Sequence, residues 1–345
     1  MKQNGTLMNA HCNSTIKIAF IAACAFAIAL PLFAANTATA QTGANLVLLP
    51  WENDAQQGQL AHSYSAFGSG HSNGPSATNN FDLQLFETTG RAHVGNDHTL
   101  QAPGAFNIGF TQVHLDIDTN DPLLPTRLSD TQFAIGKHLF KKGDWDVSAV
   151  VGIGFSSSNA YGDSQGHYGR ADLIFSKQID QRSNLTLIAN YDGNRSIYPD
   201  IPLPAIAYTR QQTDKFQFTV GFPWNRLVWK PKPDVTVKAG FAFPTTFIAS
   251  TEYQVKSDLQ VFLALRNHFN AYHVAGDLEH RRLFFRQRKV ETGMNWTPKK
   301  NVTLTAAVGY AFDQKFTRGW DVRDTDTIRK ISDEPFVRFG LNLEF

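Results

Sequence analysis

The densest charge cluster of the sequence is the basic segment 281–289. Arg286 and Arg288 have the same parity within it, so both side chains would lie on one face of a β-strand. Lys238 is a further cation on the polar face of an alternating segment. Cationic side chains around a pore attract anions, so we predict Arg286, Arg288 and Lys238 as lumen charges. The alternatives for the two arginines are pairing with Asp or Glu on neighbouring strands and contact with lipopolysaccharide phosphates.

Other candidates for chemistry match their motifs only in part. Ser164 and His167 are close in sequence, as in barrel enzymes that modify lipids, but the sequence has no G-x-S-x-G nucleophile motif. Asp116 to Asn120 has the D-x-D-x-N spacing that opens a calcium loop, whereas Arg127 occupies the position of the closing glutamate. The sequence therefore predicts no catalytic site, no metal site and no cofactor.

The segments that must position these residues alternate between apolar and polar side chains. The pattern is clearest in residues 145–155, 235–241, 259–265 and 302–312. A period of two places each set on one face of a strand. In a membrane barrel the apolar face contacts lipid, while Gly, Thr, Ser, Asn and Lys line a wet lumen. The alternation therefore favours an all-β, transmembrane, antiparallel up-and-down β-barrel.

Short polar turns and longer polar stretches separate these segments in a regular way. The short turns are at residues 141–144, 181–184, 230–234, 256–258 and 298–301. The longer stretches are at residues 119–127, 156–166, 194–204, 268–279 and 313–333. Short turns at one end and long loops at the other are typical of such barrels. Five turns imply at least ten strands, and our best estimate is about 14, within a range of 12–16.

Two local features interrupt the alternation. Phe222-Pro223 and Phe243-Pro244 lie 21 positions apart, and proline is tolerated in a sheet only at edges, bulges or turns. We interpret both pairs as tight outer turns or bulges. Within residues 105–117 the apolar face changes between Phe110 and Val113, which we interpret as a β-bulge.

The N-terminus has the pattern of a cleavable signal peptide. Lys2 and Lys17 supply positive charge, an apolar run covers residues 18–33, and Ala38 and Ala40 form an A-x-A cleavage signature. The run is shorter than the ~20 residues of a spanning helix. We therefore predict that residues 1–40 are removed on export, and a lipoprotein cleavage box ending at Cys24 is the alternative.

Composition excludes two further classes. Both cysteines, Cys12 and Cys24, fall in the predicted signal peptide, so the mature chain has neither disulfides nor thiolate metal sites. Two of the 32 basic residues also fall there, which leaves 30 basic and 30 acidic residues and no basic surplus for binding nucleic acid. We assign residues 41–80 to a flexible N-terminal segment or plug and residues 81–345 to the barrel.

The C-terminus resembles the assembly signal of outer-membrane barrels. Its last strand ends in an aromatic residue and places five apolar side chains on one face: Val337, Phe339, Leu341, Leu343 and Phe345. Residues 216–269, with their Phe-Pro pairs and Lys-Asp turns, also resemble a group of uncharacterised outer-membrane barrel proteins. The resemblance implies a Gram-negative outer-membrane protein that contacts lipid, lipopolysaccharide and the barrel-assembly machinery. It implies no substrate, and the oligomeric state stays open.

Three functions are compatible with this fold. The polar, Gly-, Ser- and Thr-rich inner face of a barrel of this size favours a passive channel or transporter for small solutes. The second hypothesis is a structural or surface-interaction barrel with a closed lumen. The third is a lipid-modifying enzyme that uses Ser164 and His167.

Overall fold

The computed structural model describes residues 58–74, 78–94, 106–159, 162, 164–244, 246–276 and 281–345. The regular structure in these ranges is β-strand apart from one 3₁₀ turn, Ser164–Gly166. In the same ranges, no helix has the length and apolarity needed to span a membrane. The predicted signal peptide, with Ala38 and Ala40, lies outside the described residues.

The described residues contain 18 strand segments. In chain order they are β1 (Gly58–Phe67), β2 (Gly70–Asn73), β3 (Thr78–Val94), β4 (Phe106–Thr119), β5 (Arg127–Lys142), β6 (Trp145–Ser157), β7 (His167–Asp180), β8 (Ser183–Asp192), β9 (Leu203–Thr213), β10 (Phe216–Phe222), β11 (Trp224–Lys232), β12 (Val235–Ala242), β13 (Thr246–Lys256), β14 (Leu259–Tyr272), β15 (Arg282–Lys299), β16 (Val302–Gly319), β17 (Thr325–Ile331) and β18 (Glu334–Glu344).

These segments form a closed antiparallel barrel. Strands β3 to β16 pair in sequence order, and β1 pairs with β3 on one side and with β18 on the other. Strand β2 continues β1 and strand β17 precedes β18, so the described segments occupy 16 positions round the wall. The predicted fold class is confirmed, and the estimate of 14 strands is one hairpin too low.

The missing hairpin has two sources. The turn at Asp214 and Lys215, between β9 and β10, was not among the predicted turns. Strand β1 lies inside the segment predicted as flexible or as a plug. The boundary at residue 81 is therefore wrong, because the wall already begins at Gly58 and pairs there with the chain end at Phe345.

The predicted turns are confirmed. All five short turns connect hairpins at the end of the barrel that holds Gly58 and Phe345, and the two Phe-Pro pairs connect β10 to β11 and β12 to β13 at the opposite, outer end. Two predicted loops are partly strand, since β14 runs to Tyr272 and β16 to Gly319. The wall is therefore uneven: β10 has 7 residues and β15 has 18, which corresponds to about 24 and 61 Å along the strands at 3.4 Å per residue.

An apolar belt covers the outside of the wall. Its side chains are between 42% and 57% exposed and include Phe133, Ile135, Val151, Ile153, Val308 and Phe339. Trp229 and Trp296, also exposed, lie near the ends of β11 and β15. A band of outward apolar side chains with aromatic residues at its margin is the surface of a barrel that spans a membrane.

Strand β4 shows how the alternation changes sides. Ile108 is exposed on the outer face, whereas Val113 and Leu115 are buried on the inner face. The pairings of β4 with β3 and β5 run without a register shift. The predicted bulge is therefore wrong: the apolar side changes from outward to inward along an unbroken strand, because the outer half of the barrel encloses a hydrophobic core.

Candidate functional site: the barrel interior

A hydrophobic cluster fills one side of the outer half of the barrel, and we call it the mouth core. Phe285 and Phe316 stack at its centre with ring centroids 4.7 Å apart, and Phe81 contacts Phe316 edge-on at 6.1 Å. Its buried members come from β3 to β5, the β4–β5 loop and β14 to β17: Phe81, Leu83, Leu85, Val113, Leu115, Ile117, Leu124, Leu128, Tyr272, Leu283, Phe285, Phe316 and Ile331. This part of the interior is packed as in a soluble protein.

The outer end of β14 crosses the barrel mouth. Pairing with β13 stops at Arg266, and beyond it His273 N–H donates to Ser156 O at 3.0 Å while Ser158 N–H donates to His273 O at 2.9 Å. The Ser156 hydroxyl also donates to Ala271 O at 2.6 Å. Strands β6 and β14 lie eight positions apart in either direction round the 16-position wall. These bonds therefore divide the mouth into two halves, and the mouth core fills one of them.

Polar side chains of β14 extend the crossing inward. Asn270 donates to the Asp130 carboxylate at 3.4 Å, and His268 Nδ1 lies 3.8 Å from Glu87 Oε1. Glu87 is on β3, which is five positions from β14 along the shorter way round the wall. The contact between His268 and Glu87 therefore also bridges the interior.

An acidic network lines β5, β7 and β8. Tyr168 donates to Asp130 at 2.7 Å, and Arg170 lies 3.4 Å from Asp192. Asn190 donates to Asp172 at 2.5 Å. All three carboxylates are at most 3% exposed, so they are engaged by donors within the wall and are not presented to solvent.

A basic cluster lies on the opposite wall. Arg338 on β18 makes two hydrogen bonds to Glu291 on β15, at 2.8 and 2.9 Å, and Arg266 on β14 approaches the same carboxylate at 2.9 Å. Arg266 is 41% exposed, whereas Glu291 is 1% exposed. Two guanidinium groups thus share one buried carboxylate, which leaves positive charge facing the interior.

The interior between β9 and β13 is lined differently, and we call this part the open half. Its lumen-facing side chains are mostly small or polar, and most are partly exposed: Ala205, Ala207, Thr209, Gln211, Gln217, Thr219, Gly221, Trp224, Arg226, Val228, Thr236, Lys238, Gly240, Ile248, Ser250 and Glu252. Among the described residues, none of these side chains belongs to a hydrophobic cluster. The open half therefore has room for water where the mouth core has none.

Arg286 and Arg288 lie on the face opposite to the one predicted. They share parity with Val290 and Met294, which are 38% and 49% exposed on the outer surface, whereas Lys289 is buried on the inner face. Both guanidinium groups form ion pairs with Asp313 of neighbouring β16, Arg288 at 3.2 Å. The assignment as lumen charges is thus corrected in favour of structural pairing. Equal parity placed the two arginines together but left open which face they share.

Lys238 lies on the lumen face of β12, opposite in parity to the exposed Phe241. Its side chain is 37% exposed, and its Nζ is 2.8 Å from Glu252 Oε1 on β13. The charge therefore reaches the interior as half of an ion pair. Its role in a pore stays a prediction.

The other sequence candidates make separate contacts. His167 packs edge-on against Phe155 with ring centroids 4.9 Å apart, and within the described chain no hydrogen bond joins it to Ser164. Asp116 contacts Arg127 and His114. Among the described residues, no group of three His, Cys, Asp or Glu side chains is arranged to hold a metal ion.

The predicted assembly-signal residues lie in the strand that closes the barrel. Phe339 and Leu341 are exposed on the outer face of β18, and Leu343 pairs with Leu60 of β1. Phe345 exchanges two backbone hydrogen bonds with Gly58, at 2.6 and 2.9 Å. The terminal residue thus completes the seam between the first and last strands, and recognition by assembly machinery stays a prediction.

Comparisons with known proteins found similarity at low identity and low TM-score. No protein-family model matches the sequence, and no curated protein matches it. Similar solved structures include the toluene transporter TodX of Pseudomonas putida, at 10% identity and a TM-score of 0.38, covering 90% of this chain and 95% of that chain. The translocator domain of the autotransporter NalP from Neisseria meningitidis has 7% identity, a TM-score of 0.33 and coverages of 89% and 93%. The KdgM porin has 8% identity, a TM-score of 0.23 and coverages of 83% and 99%.

At these values the comparisons carry no argument about substrate, so function must be inferred from the interior itself. The mouth core was not predicted from the sequence. Its one local sign was the change of the apolar face between Phe110 and Val113. Arg226 was also not predicted, because a single cation near a strand end has no distinctive spacing.

Proposed function

We propose that the protein is an outer-membrane channel through which small solutes diffuse passively, and that the path runs through the open half. The observation that carries the proposal is the unequal filling of the interior. The mouth core fills one side with buried apolar side chains, whereas the side between β9 and β13 is lined mostly by small or polar, partly exposed residues. A barrel of about 16 strands encloses more space than its wall side chains fill.

The low wall at β10 to β13 supports the same path. Strands β10 and β12 have 7 and 8 residues and are joined to their neighbours by the tight turns at Pro223 and Pro244. Because these strands are short and their turns are tight, few residues on this side extend over the barrel mouth. A solute from outside would therefore enter beside these hairpins and reach the lumen face of β11 and β12.

The surface of the barrel supports a proposal for its location and partners. The apolar belt and the exposed tryptophans match the surface that outer-membrane barrels present to lipid, which supports insertion in a Gram-negative outer membrane and contact with lipopolysaccharide. Closure of the seam by Phe345 supports recognition of the last strand by the barrel-assembly machinery.

Single-channel conductance of the refolded protein in planar bilayers tests the path. A Cβ at Gly240 would meet only ordinary contacts, 3.4 Å from Asn225 O and 3.7 Å from Ile248 Cγ2, so a larger side chain fits there and extends into the lumen. Ala239 is the adjacent residue on the outer face. We expect stable conductance steps for the wild type, a clear reduction for Gly240→Trp and no change for Ala239→Trp.

Two results would contradict the proposal. A folded, heat-modifiable barrel that stays electrically silent would favour the structural or surface-interaction barrel. Equal conductance of the Gly240→Trp variant and the wild type would show that the path avoids the open half.

A further inference from the structure

The cations that reach the open half point to the charge of its solute. Arg226 on β11 is exposed on the lumen face, because it pairs with Gly240 and has parity opposite to the exposed Trp229. Within the described part of the chain, no ion pair or hydrogen bond engages the Arg226 side chain. A guanidinium group has five N–H donors, so this side chain presents unused donors to the interior.

Arg226 is not isolated along the sheet. The row of paired residues through it continues from β11 to β15 as Arg226, Gly240, Ile248, Arg266 and Lys289. Neighbouring strands are about 4.8 Å apart, so Arg226 and Arg266 lie about 14 Å apart, with Gly240 and Ile248 between them. The glycine leaves space above the row, where a small ligand could contact Arg226.

A fourth cation lies close to the row. Lys238 precedes Gly240 by two positions on the same face of β12 and is 37% exposed, while its partner Glu252 is 17% exposed. Arg266 shows the same asymmetry with Glu291. In both pairs the cation is the more accessible member.

Acidic groups elsewhere on the wall do not cancel this charge at the solvent boundary. On β3, which faces β11 and β12 across the barrel, Glu87 is 29% exposed and its Oε1 lies 3.8 Å from His268 Nδ1. The Asp130, Asp172 and Asp192 carboxylates of β5, β7 and β8 are buried and engaged by Tyr168, Asn190 and Arg170. Solvent in the lumen therefore meets positive groups more readily than negative ones. The interior favours a negatively charged solute although the mature chain has no net charge.

We propose that the open half selects small anionic solutes and that Arg226 is its principal recognition residue, with Lys238 and Arg266 extending the positive row. The inference rests on the proposed channel function and adds the charge of the solute to it. Arg226 leads because it is the member of the row that has no counter-charge among the described residues, so its donors are available to a carboxylate or another anion.

Reversal potentials across a potassium chloride gradient test the inference in the bilayers that measure conductance. We expect the wild type to prefer chloride over potassium. Arg226→Gln should lower the ratio of chloride to potassium permeability about two- to threefold, because one unit charge acts across a few ångströms of screened water. Arg226→Lys should keep the preference, and Arg226→Glu should reduce it further than the Gln variant.

Arg288→Gln is the matched control, because it removes the same group from the outer face of the wall. Its permeability ratio should equal that of the wild type. A conducting wild type without anion preference, or an Arg226→Gln variant with the wild-type ratio, would overturn the inference while leaving the channel intact. Absence of conductance in every variant would instead remove the channel function itself.

Discussion

A buried carboxylate in the β4–β5 loop tests how this loop is fixed to the wall at the outer end of the barrel. Asp121 is 2% exposed and accepts hydrogen bonds from Arg329 Nε and, at 3.0 Å, from Arg329 Nη2. Ser72 and Asn79 donate to the same carboxylate at 2.9 and 3.1 Å. Asp121→Ala would leave the Arg329 guanidinium buried beside the mouth core without its counter-charge.

The expected loss of stability is large. Removing one partner of a buried, hydrogen-bonded ion pair costs about 3–5 kcal/mol, because the remaining charge is uncompensated. Asp116→Ala is the control at the entrance to the same loop. Its side chain is 43% exposed and pairs with Arg127, which is 65% exposed, so the expected cost is about 0–1 kcal/mol.

The contribution of Asp121 should also depend on pH. Burial raises the pKa of Asp121, but the hydrogen bonds from Arg329, the Leu123 amide and Ser72 outweigh it, so the pKa lies below its usual value. A carboxylate with a lowered folded-state pKa stabilises the fold above its unfolded pKa of about 3.9 and loses that contribution as the pH falls through the folded-state value. The difference in the free energy of unfolding between the wild type and Asp121→Ala should therefore be largest at neutral pH and should decrease in acid.

Urea unfolding in lipid vesicles, followed by tryptophan fluorescence at pH 7 and at pH 3, measures these differences. Asp121→Ala should unfold at clearly lower urea than Asp116→Ala at pH 7, and the gap should narrow at pH 3. Two variants that unfold together at pH 7 would refute the claim that Asp121 and Arg329 lock the loop to the wall.

Two further outcomes are expected. Phe316→Ala should lower the free energy of unfolding by about 3–5 kcal/mol, because the ring is fully buried and stacks on Phe285. The same change should raise single-channel conductance, since it opens the mouth core. Unchanged stability to urea would contradict this packing. Deletion of Phe345 removes both backbone hydrogen bonds to Gly58 and should lower the amount of heat-modifiable barrel in bacterial outer membranes. Phe345→Trp keeps an aromatic terminal residue and should preserve that amount. Equal amounts for the deletion variant and the wild type would count against an assembly signal.

Local patterns predicted the wall of the barrel well. A two-residue period, turns rich in Lys, Asp, Asn and Ser, and the aromatic chain end are each visible within about ten residues. These features depend on neighbours along the chain or on hairpin partners, so the sequence identified the fold class, the five turns and the two Phe-Pro connections. Strand β1 escaped because its alternation is weak and it lies beside a segment rich in Gly, Ser and Asn.

Local patterns were least informative about the interior. Equal parity placed Arg286 and Arg288 on one face, but only the position of Val290 and Lys289 in the closed wall shows which face is outside. The change of sides in β4 could be interpreted as a bulge until the mouth core supplied the apolar environment for Val113 and Leu115.

The sequence by itself determined the alternation of apolar and polar side chains, the short polar turns and the alternating last strand, and with them the barrel fold. These properties arise between residues that are close along the chain. Only the tertiary structure decided where the barrel is filled and where it is open. Asp121 and Arg329 are 208 positions apart, and Ser156 and Ala271 are 115 positions apart. Contacts of this kind form when the wall closes and opposite strands approach across the interior, and no spacing within a single strand encodes them.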